Sequence, residues 1–236
     1  MAYINPMPVP FVEPPAMHIP DGFVSAPVAA VGYVVAGVAL AVAVRQTNRN
    51  LQEKLVPLMG VMAAFIFAAQ MMNFPVAGGT SGHMLGAALA TILLGPWAAM
   101  IVMACVVSVQ ALIFQDGGIA ALGPNVFNMA VVGVLVSYVV YRPVAAFANG
   151  RPLLRYGAAF AAAWASVQVA AMCASFELAL SDTSPLNVAL PAMMGVHALI
   201  GIGEGIITVA AVTFVTATRR DLLQLPLRKE MPLETH

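Results

Sequence analysis

The stretch from Met84 to Phe114, MLGAALATILLGPWAAMIVMACVVSVQALIF, decides the fold. It carries no charged residue, and only Gly95-Pro96 interrupts its apolar character. Proline disfavours a helical conformation at the residue before it, so a tight turn between two spans is one reading. A single helix kinked at Pro96 is the other. Charge placement separates them, because cytoplasmic loops carry the excess of Lys and Arg. With a turn at Gly95 the apolar runs number seven, at about 26–44, 55–72, 84–94, 96–114, 126–147, 157–180 and 190–217. The inner segments are then 45–54, the Gly95 turn, 142–156 and the C-terminus. They hold Arg45, Arg49, Lys54, Arg142, Arg151, Arg155, Arg219, Arg220, Arg228 and Lys229, which is all ten basic residues. Fusing 84–114 into one span would put the last seven of these outside. The expected fold is therefore an all-α membrane protein, a bundle of seven transmembrane helices with the N-terminus outside and the C-terminus cytoplasmic. The run 84–94 is short for a full crossing of about 20 residues, so the third helix is expected to begin earlier, near Ser81.

Composition points the same way. Of 236 residues, 61% are hydrophobic and 8% charged, against roughly 25% charged in an average soluble domain. An ordinary soluble enzyme is excluded, and a chain this long leaves no room for a separate soluble domain beside its spans. Lys+Arg and Asp+Glu both total 10, so nothing points to nucleic acid. Cys105 and Cys173 lie inside apolar runs, which supports neither a disulfide framework nor a cysteine zinc site. Residues 1–16 hold five prolines and no basic residue; they read as a Pro-rich leader and not as a secretory signal. Residues 17–220 form the membrane domain and 221–236 a short cytoplasmic tail.

Three polar, Gly-rich segments fall on the outer face: 73–83, 115–125 and 181–189. Such segments are turns, or loops that fold over a site. His18, in Met17-His18-Ile19-Pro20-Asp21-Gly22-Phe23, and His83, closing Gly79-Thr80-Ser81-Gly82-His83, both belong to that face. Either alone reads as a hydrogen-bonded loop imidazole. Together, on one face of a nearly chargeless protein, they are a candidate metal site. If the chain begins at Met17, its free amine, the His18 backbone nitrogen and the His18 imidazole can chelate one ion in a plane. The two links close a five- and a six-membered ring, and His83 can fill the open position. A tetragonal all-nitrogen plane suits Ni(II) or Cu(II).

At these residues the chain resembles a known family. MHIPDGF, QMMNFPVAGGTSGH, LGPWAAM, VQALIFQDGGIAALGPNVFNMA and HALIGIGEGIIT are similar to the CbiM/NikM family, the substrate-specific membrane (S) components of energy-coupling factor (ECF) transporters for nickel and cobalt. The resemblance covers about 17–217. It implies seven membrane helices and an ion held by Met17, His18 and His83. The Pro-Asp after Met-His-Ile looks more like the nickel branch, with cobalt next. It also implies two ATP-binding cassette subunits, a transmembrane coupling (T) subunit and, in some systems, a small extra membrane protein, all in the cell membrane. The family motif begins at the initiator Met, whereas 16 residues precede it here. A start at Met17, removal of the leader and an altered site are the three explanations, and the expectation is a functional protein that begins at Met17.

Other polar residues have two readings each. Gln70 and Asn73 match the family pattern beside the loop, where they hold an imidazole or cap helix 2. Asp21 supports His18 or initiates the Pro20-Asp21-Gly22 turn, and the turn is the preferred reading. Asp116-Gly117-Gly118 reads as a turn. His197 and Glu204, seven apart on the last span, share a helix face; they form a structural polar link or mark an ion path. Glu177 is expected to reach water at the outer end of its helix. Gly60, Ala64 and Ala68 form a small-residue stripe that docks on the coupling subunit or packs within the chain. The 15 Met are scattered through apolar runs; they read as core filler, with a copper relay the remote alternative.

No G-x-x-x-x-G-K-[ST] phosphate-binding motif is present, so ATP hydrolysis has to come from partners. The enzyme rival is an intramembrane serine protease built on Ser81 and His197, for which a four-residue G-x-S-G-type motif is weak support. A passive metal channel is the third reading. No catalytic cofactor is expected.

Overall fold

Long uncharged runs fold as helices in lipid because only internal hydrogen bonds satisfy their backbone. The computed structural model describes residues 18–49, 55–71, 74–76, 80–148 and 151–219, with the side chains of 74–76 and 80–82 left aside. The leader, Met17, Asn73, Lys54 and the tail from Arg220 lie outside the described residues. Helix α1 spans Ala26–Arg49, α2 Leu55–Gln70, α3 Ala87–Leu94 and α4 Pro96–Ile113. A continuous helix α5 spans Leu122–Phe147, with a π-helical turn at Phe127–Val132. Helix α6 spans Pro152–Leu180 and α7 Leu186–Thr218. Five of these (α1, α4, α5, α6 and α7) are long and apolar enough to cross a membrane. A small antiparallel hairpin, β1 Phe74–Val76 with β2 Thr80–Gly82, joins α2 to α3.

Gly95 does split the deciding stretch. It ends α3 at φ 77°, a conformation that favours glycine, and Pro96 opens α4 at its first position, where a missing N–H is harmless. The third helix, however, does not begin near Ser81. Ser81 lies in β2, residues 83–86 are non-helical, and α3 starts at Ala87. Its eight residues rise only about 12 Å, well short of a hydrocarbon core of about 30 Å. All eight are buried, so α3 is a central core element and not a lipid-facing span.

Small residues set the helix spacing. A Cβ on Gly32 of α1 would lie 2.6 Å from Pro124 of α5, and one on Gly123 2.5 Å from the Tyr33 backbone nitrogen. The two glycines let these helices meet backbone to backbone. On α7, Gly205 takes the ring of Phe160 and Gly201 that of Trp164, both from α6. The outward faces are apolar: Val34 and Val38 of α1 are 65% and 61% exposed. Such a face belongs against lipid tails.

The two ends of the bundle differ. At one end the Ser25 N–H donates to Ser181 Oγ at 2.9 Å, and Thr183 Oγ1 donates to the Phe23 carbonyl. This ties the start of α1 to the α6–α7 turn. The described arginines sit at the other helix ends: Arg45 and Arg49 late in α1, Arg142 late in α5, Arg151 and Arg155 at the start of α6, and Arg219 after α7.

Candidate metal centre

The site forms where residues 18–23 lie against the connection from α4 to α5. The Asp21 carboxylate accepts N–H groups from Ile119, Ala120 and Ala121 at 3.1, 2.7 and 3.3 Å. It thereby gathers the backbone donors that lead into α5, where the helix dipole favours an anion. Asn125 holds Ile19 from both sides: its Oδ1 accepts the Ile19 N–H at 3.1 Å and its Nδ2 donates to the Ile19 carbonyl at 3.0 Å. The Gly118 N–H donates to the same carbonyl at 2.9 Å. Asp21 stands in the expected turn, which Gly22 closes at φ 86°. Its carboxylate, though, serves the opposite loop and not His18.

These bonds press His18 into the protein, where it is 6% exposed. Its carboxylate neighbour is Asp116, whose Oδ2 lies 3.3 Å from His18 Nδ1. Gly117 sits at φ 93°, and a Cβ there would come 2.8 Å from the Cβ of His18. The Asp-Gly-Gly run is thus a turn that also seats the imidazole, a role its sequence reading missed. The clue was a carboxylate beside two glycines in an outer segment that also faces a histidine.

His83 completes the pair. Its Nδ1 lies 3.0 Å from the Met84 carbonyl; a carbonyl only accepts, so Nδ1 carries the proton and Nε2 the lone pair. The ring centroids of His18 and His83 are 5.1 Å apart, tilted by 55°. A shared first-row ion about 2 Å from each ligating nitrogen places two centroids roughly 4–6 Å apart, so the separation suits one ion between them. His18 Nε2 is buried without a hydrogen-bond partner among the described residues. No group of three or more His, Cys, Asp or Glu among those residues could hold a metal ion. A full coordination shell here needs donors beyond His, Cys, Asp and Glu side chains of the described residues.

Both imidazoles line a cavity of about 360 Å³ between α5, α6 and α7, with Leu85 on its wall and His197 reaching it from α7. His197 Nδ1 donates to the Met193 carbonyl one turn back, at 2.7 Å. Glu204 does something different. It is 1% exposed and accepts the N–H groups of Leu85 and Gly86 at 2.6 and 3.0 Å. Gln70, expected on an imidazole or on the end of its own helix, donates instead to the Leu85 carbonyl at 2.6 Å. Glu204 and Gln70 thus satisfy the non-helical segment that carries His83, the condition for irregular backbone at membrane depth.

Glu177 does not reach water as expected: it is buried and accepts from Asn128 Nδ2 at 2.6 Å. Asn125 and Asn128, two amides on an otherwise apolar run, went unread in the sequence although that contrast marked them. Gly60, Ala64 and Ala68 are exposed, opposite the buried face of α2 formed by Leu55, Met62, Ile66 and Gln70. The stripe therefore faces away from the described core.

The sequence pattern of CbiM, the cobalt uptake substrate-specific transmembrane region, matches residues 18–222. A putative fused nickel transport protein of Archaeoglobus fulgidus, NikMN, is 45% identical over 210 residues, covering 88% of this chain and 68% of that protein. A putative metal transport protein of Haloquadratum walsbyi is 43% identical over 209 residues, covering 88% of this chain and 93% of that one. A crystal structure of a truncated transition metal transporter shares the fold at a TM-score of 0.75 and 36% identity, over 85% of this chain and 99% of that chain.

Proposed function

Because the chain belongs to the CbiM family of membrane transport proteins, we propose that it is the ion-capturing component of a transition-metal importer, with Ni(II) preferred and Co(II) next. The observation that carries this is the pairing of buried His18 with half-buried His83 over a cavity in the bundle. The relatives are named as transport proteins, which supports a non-enzymatic role.

The ligands are the His18 imidazole and backbone nitrogen, His83, and a free amine at Met17. A chelate through the His18 amide closes a six-membered ring only with Nδ1. That nitrogen faces Asp116 at 3.3 Å, so loading exchanges the carboxylate for the ion. Asp116 then stays beside the dication and offsets part of its charge. Binding from nitrogen donors that lose protons makes capture weaker in acid. Detergent-purified protein dialysed against Ni(II) is expected to retain one ion per chain. Retention of none would reject the reading.

Transport further requires two ATP-binding cassette subunits and a coupling membrane subunit in an ECF-type assembly, since the chain has no phosphate loop. Some assemblies add a small membrane protein. The open face of α2 at Gly60, Ala64 and Ala68 lets another helix approach closely and is the proposed docking strip. Metal uptake by this chain without an ATPase would favour a passive channel. The chain crosses the inner or plasma membrane seven times, with the site outside and the arginines inside; residues 83–86 and α3 together make the third crossing. A cysteine introduced at Arg151 should resist an impermeant thiol reagent in intact cells. Ready labelling there would overturn this orientation.

A further inference from the structure

We propose that His197 is a second, inner ligand in the capture cavity, taking the ion from His18 and His83 on its way inward. This rests on the cavity being a metal-capture site. The polar groups on its wall differ in what remains of their bonding. Asn125 is committed on both sides to Ile19, and the Asn128 amide nitrogen to Glu177. His197 is committed on one side only. Its Nδ1 proton goes to the Met193 carbonyl at 2.7 Å, which leaves the lone pair on Nε2. Nε2 has no partner among the described residues. A ring nitrogen fixed to a backbone carbonyl is the usual way a protein orients the other nitrogen toward a metal and raises its basicity.

Position supports the same role. His197 lies eleven residues into α7 from Leu186, about 16 Å along the axis. It borders one cavity with both outer imidazoles. Glu204, two turns further along α7, is already engaged by Leu85 and Gly86 and does not line the cavity. At about 30 Å³ per water, the cavity volume of about 360 Å³ admits a partly hydrated ion. An ion can therefore move from the outer pair to His197 by exchanging ligands, without meeting the apolar wall bare. A neutral imidazole also suits Ni(II) and Co(II) as a ligand.

The test uses Ni(II) alone as probe. The chain has four histidines, so replacing His18, His83 and His236 with Ala leaves His197 as the single imidazole for diethyl pyrocarbonate, followed by the absorbance of its N-carbethoxy adduct. At about ten times the half-saturating Ni(II) concentration, modification of His197 is expected to slow about tenfold, following 1 + [L]/Kd. An unchanged rate overturns the inner site. Ni(II) retention by the parent protein is measured beside it. Retention without protection rejects His197 and keeps the outer site; protection without retention does the reverse. A second variant guards against misfolding of the first. His197→Gln keeps a donor for the Met193 carbonyl but lacks the ring nitrogen. With partner subunits present it is expected to lower Ni(II) uptake at least about tenfold, the scale of losing a metal's supporting group. Its thermal midpoint should match the parent's. Parental uptake would overturn the inference.

Discussion

Replacing His83 with Ala is expected to weaken Ni(II) binding by about 100-fold or more while the bundle stays folded. Loss of a group that merely supports a ligand costs 10–100-fold in affinity, and His83 is proposed as a ligand itself. Folding should survive because the hydrogen bond described for its ring is to the carbonyl of the next residue. Glu204 and Gln70 hold the backbone of the segment in place. Titration of Ni(II) into purified parent and variant, with their thermal midpoints, separates the two effects. Equal affinities would remove His83 from the ligand set. A collapsed midpoint would show that its ring is structural.

Replacing Glu204 with Ala should have the opposite signature, a large loss of stability. The carboxylate is buried and accepts two backbone N–H groups at the start of α3. Removing it leaves both donors without a partner inside the bundle. Each unsatisfied buried donor costs about 1–3 kcal/mol, so the sum is about 2–6 kcal/mol. For a chain of this size that lowers the midpoint by roughly 10 °C, at 2–4 °C per kcal/mol. Glu204→Gln keeps an amide oxygen able to accept one N–H and should restore about half of the loss. The measurement is thermal unfolding in detergent for all three proteins. A midpoint within about 2 °C of the parent in Glu204→Ala, below the cost of even one such donor, would mean that Leu85 and Gly86 find other partners.

How much was legible follows from the range of each interaction. The Gly95-Pro96 break could be read locally, because proline restricts the residue before it and glycine tolerates the φ of 77° found there. The membrane character could be read from charge alone. The start of α3 could not. Thr80, Ser81 and Gly82 pair with Phe74–Val76, and that pairing, together with Glu204 from the far end of the chain, holds residues 83–86 out of a helix.

The site divides in the same way. His18 and His83 stood out as imidazoles on one face, and their chemistry was readable because a histidine in a nearly chargeless chain is conspicuous. Their separation of 5.1 Å is a tertiary fact. It needs Asp21 to gather the N–H groups of 119–121 and Asn125 to clamp Ile19, contacts that cross about a hundred residues of chain. Asp116 looked like a turn former because its local role is a turn; only folding places its carboxylate beside His18. Glu204 and His197 looked like a pair because a helix puts residues seven apart on one face. Which neighbours that face meets is set by packing, and packing gave Glu204 to the backbone of α3 and His197 to the cavity. The sequence by itself determined that the chain lives in a membrane, where it breaks, and which rare side chains could meet an ion. Tertiary structure alone decided which of them meet, because a hydrogen bond or a metal ligand must come within about 3 Å and only the packed bundle brings residues so distant in the chain that close.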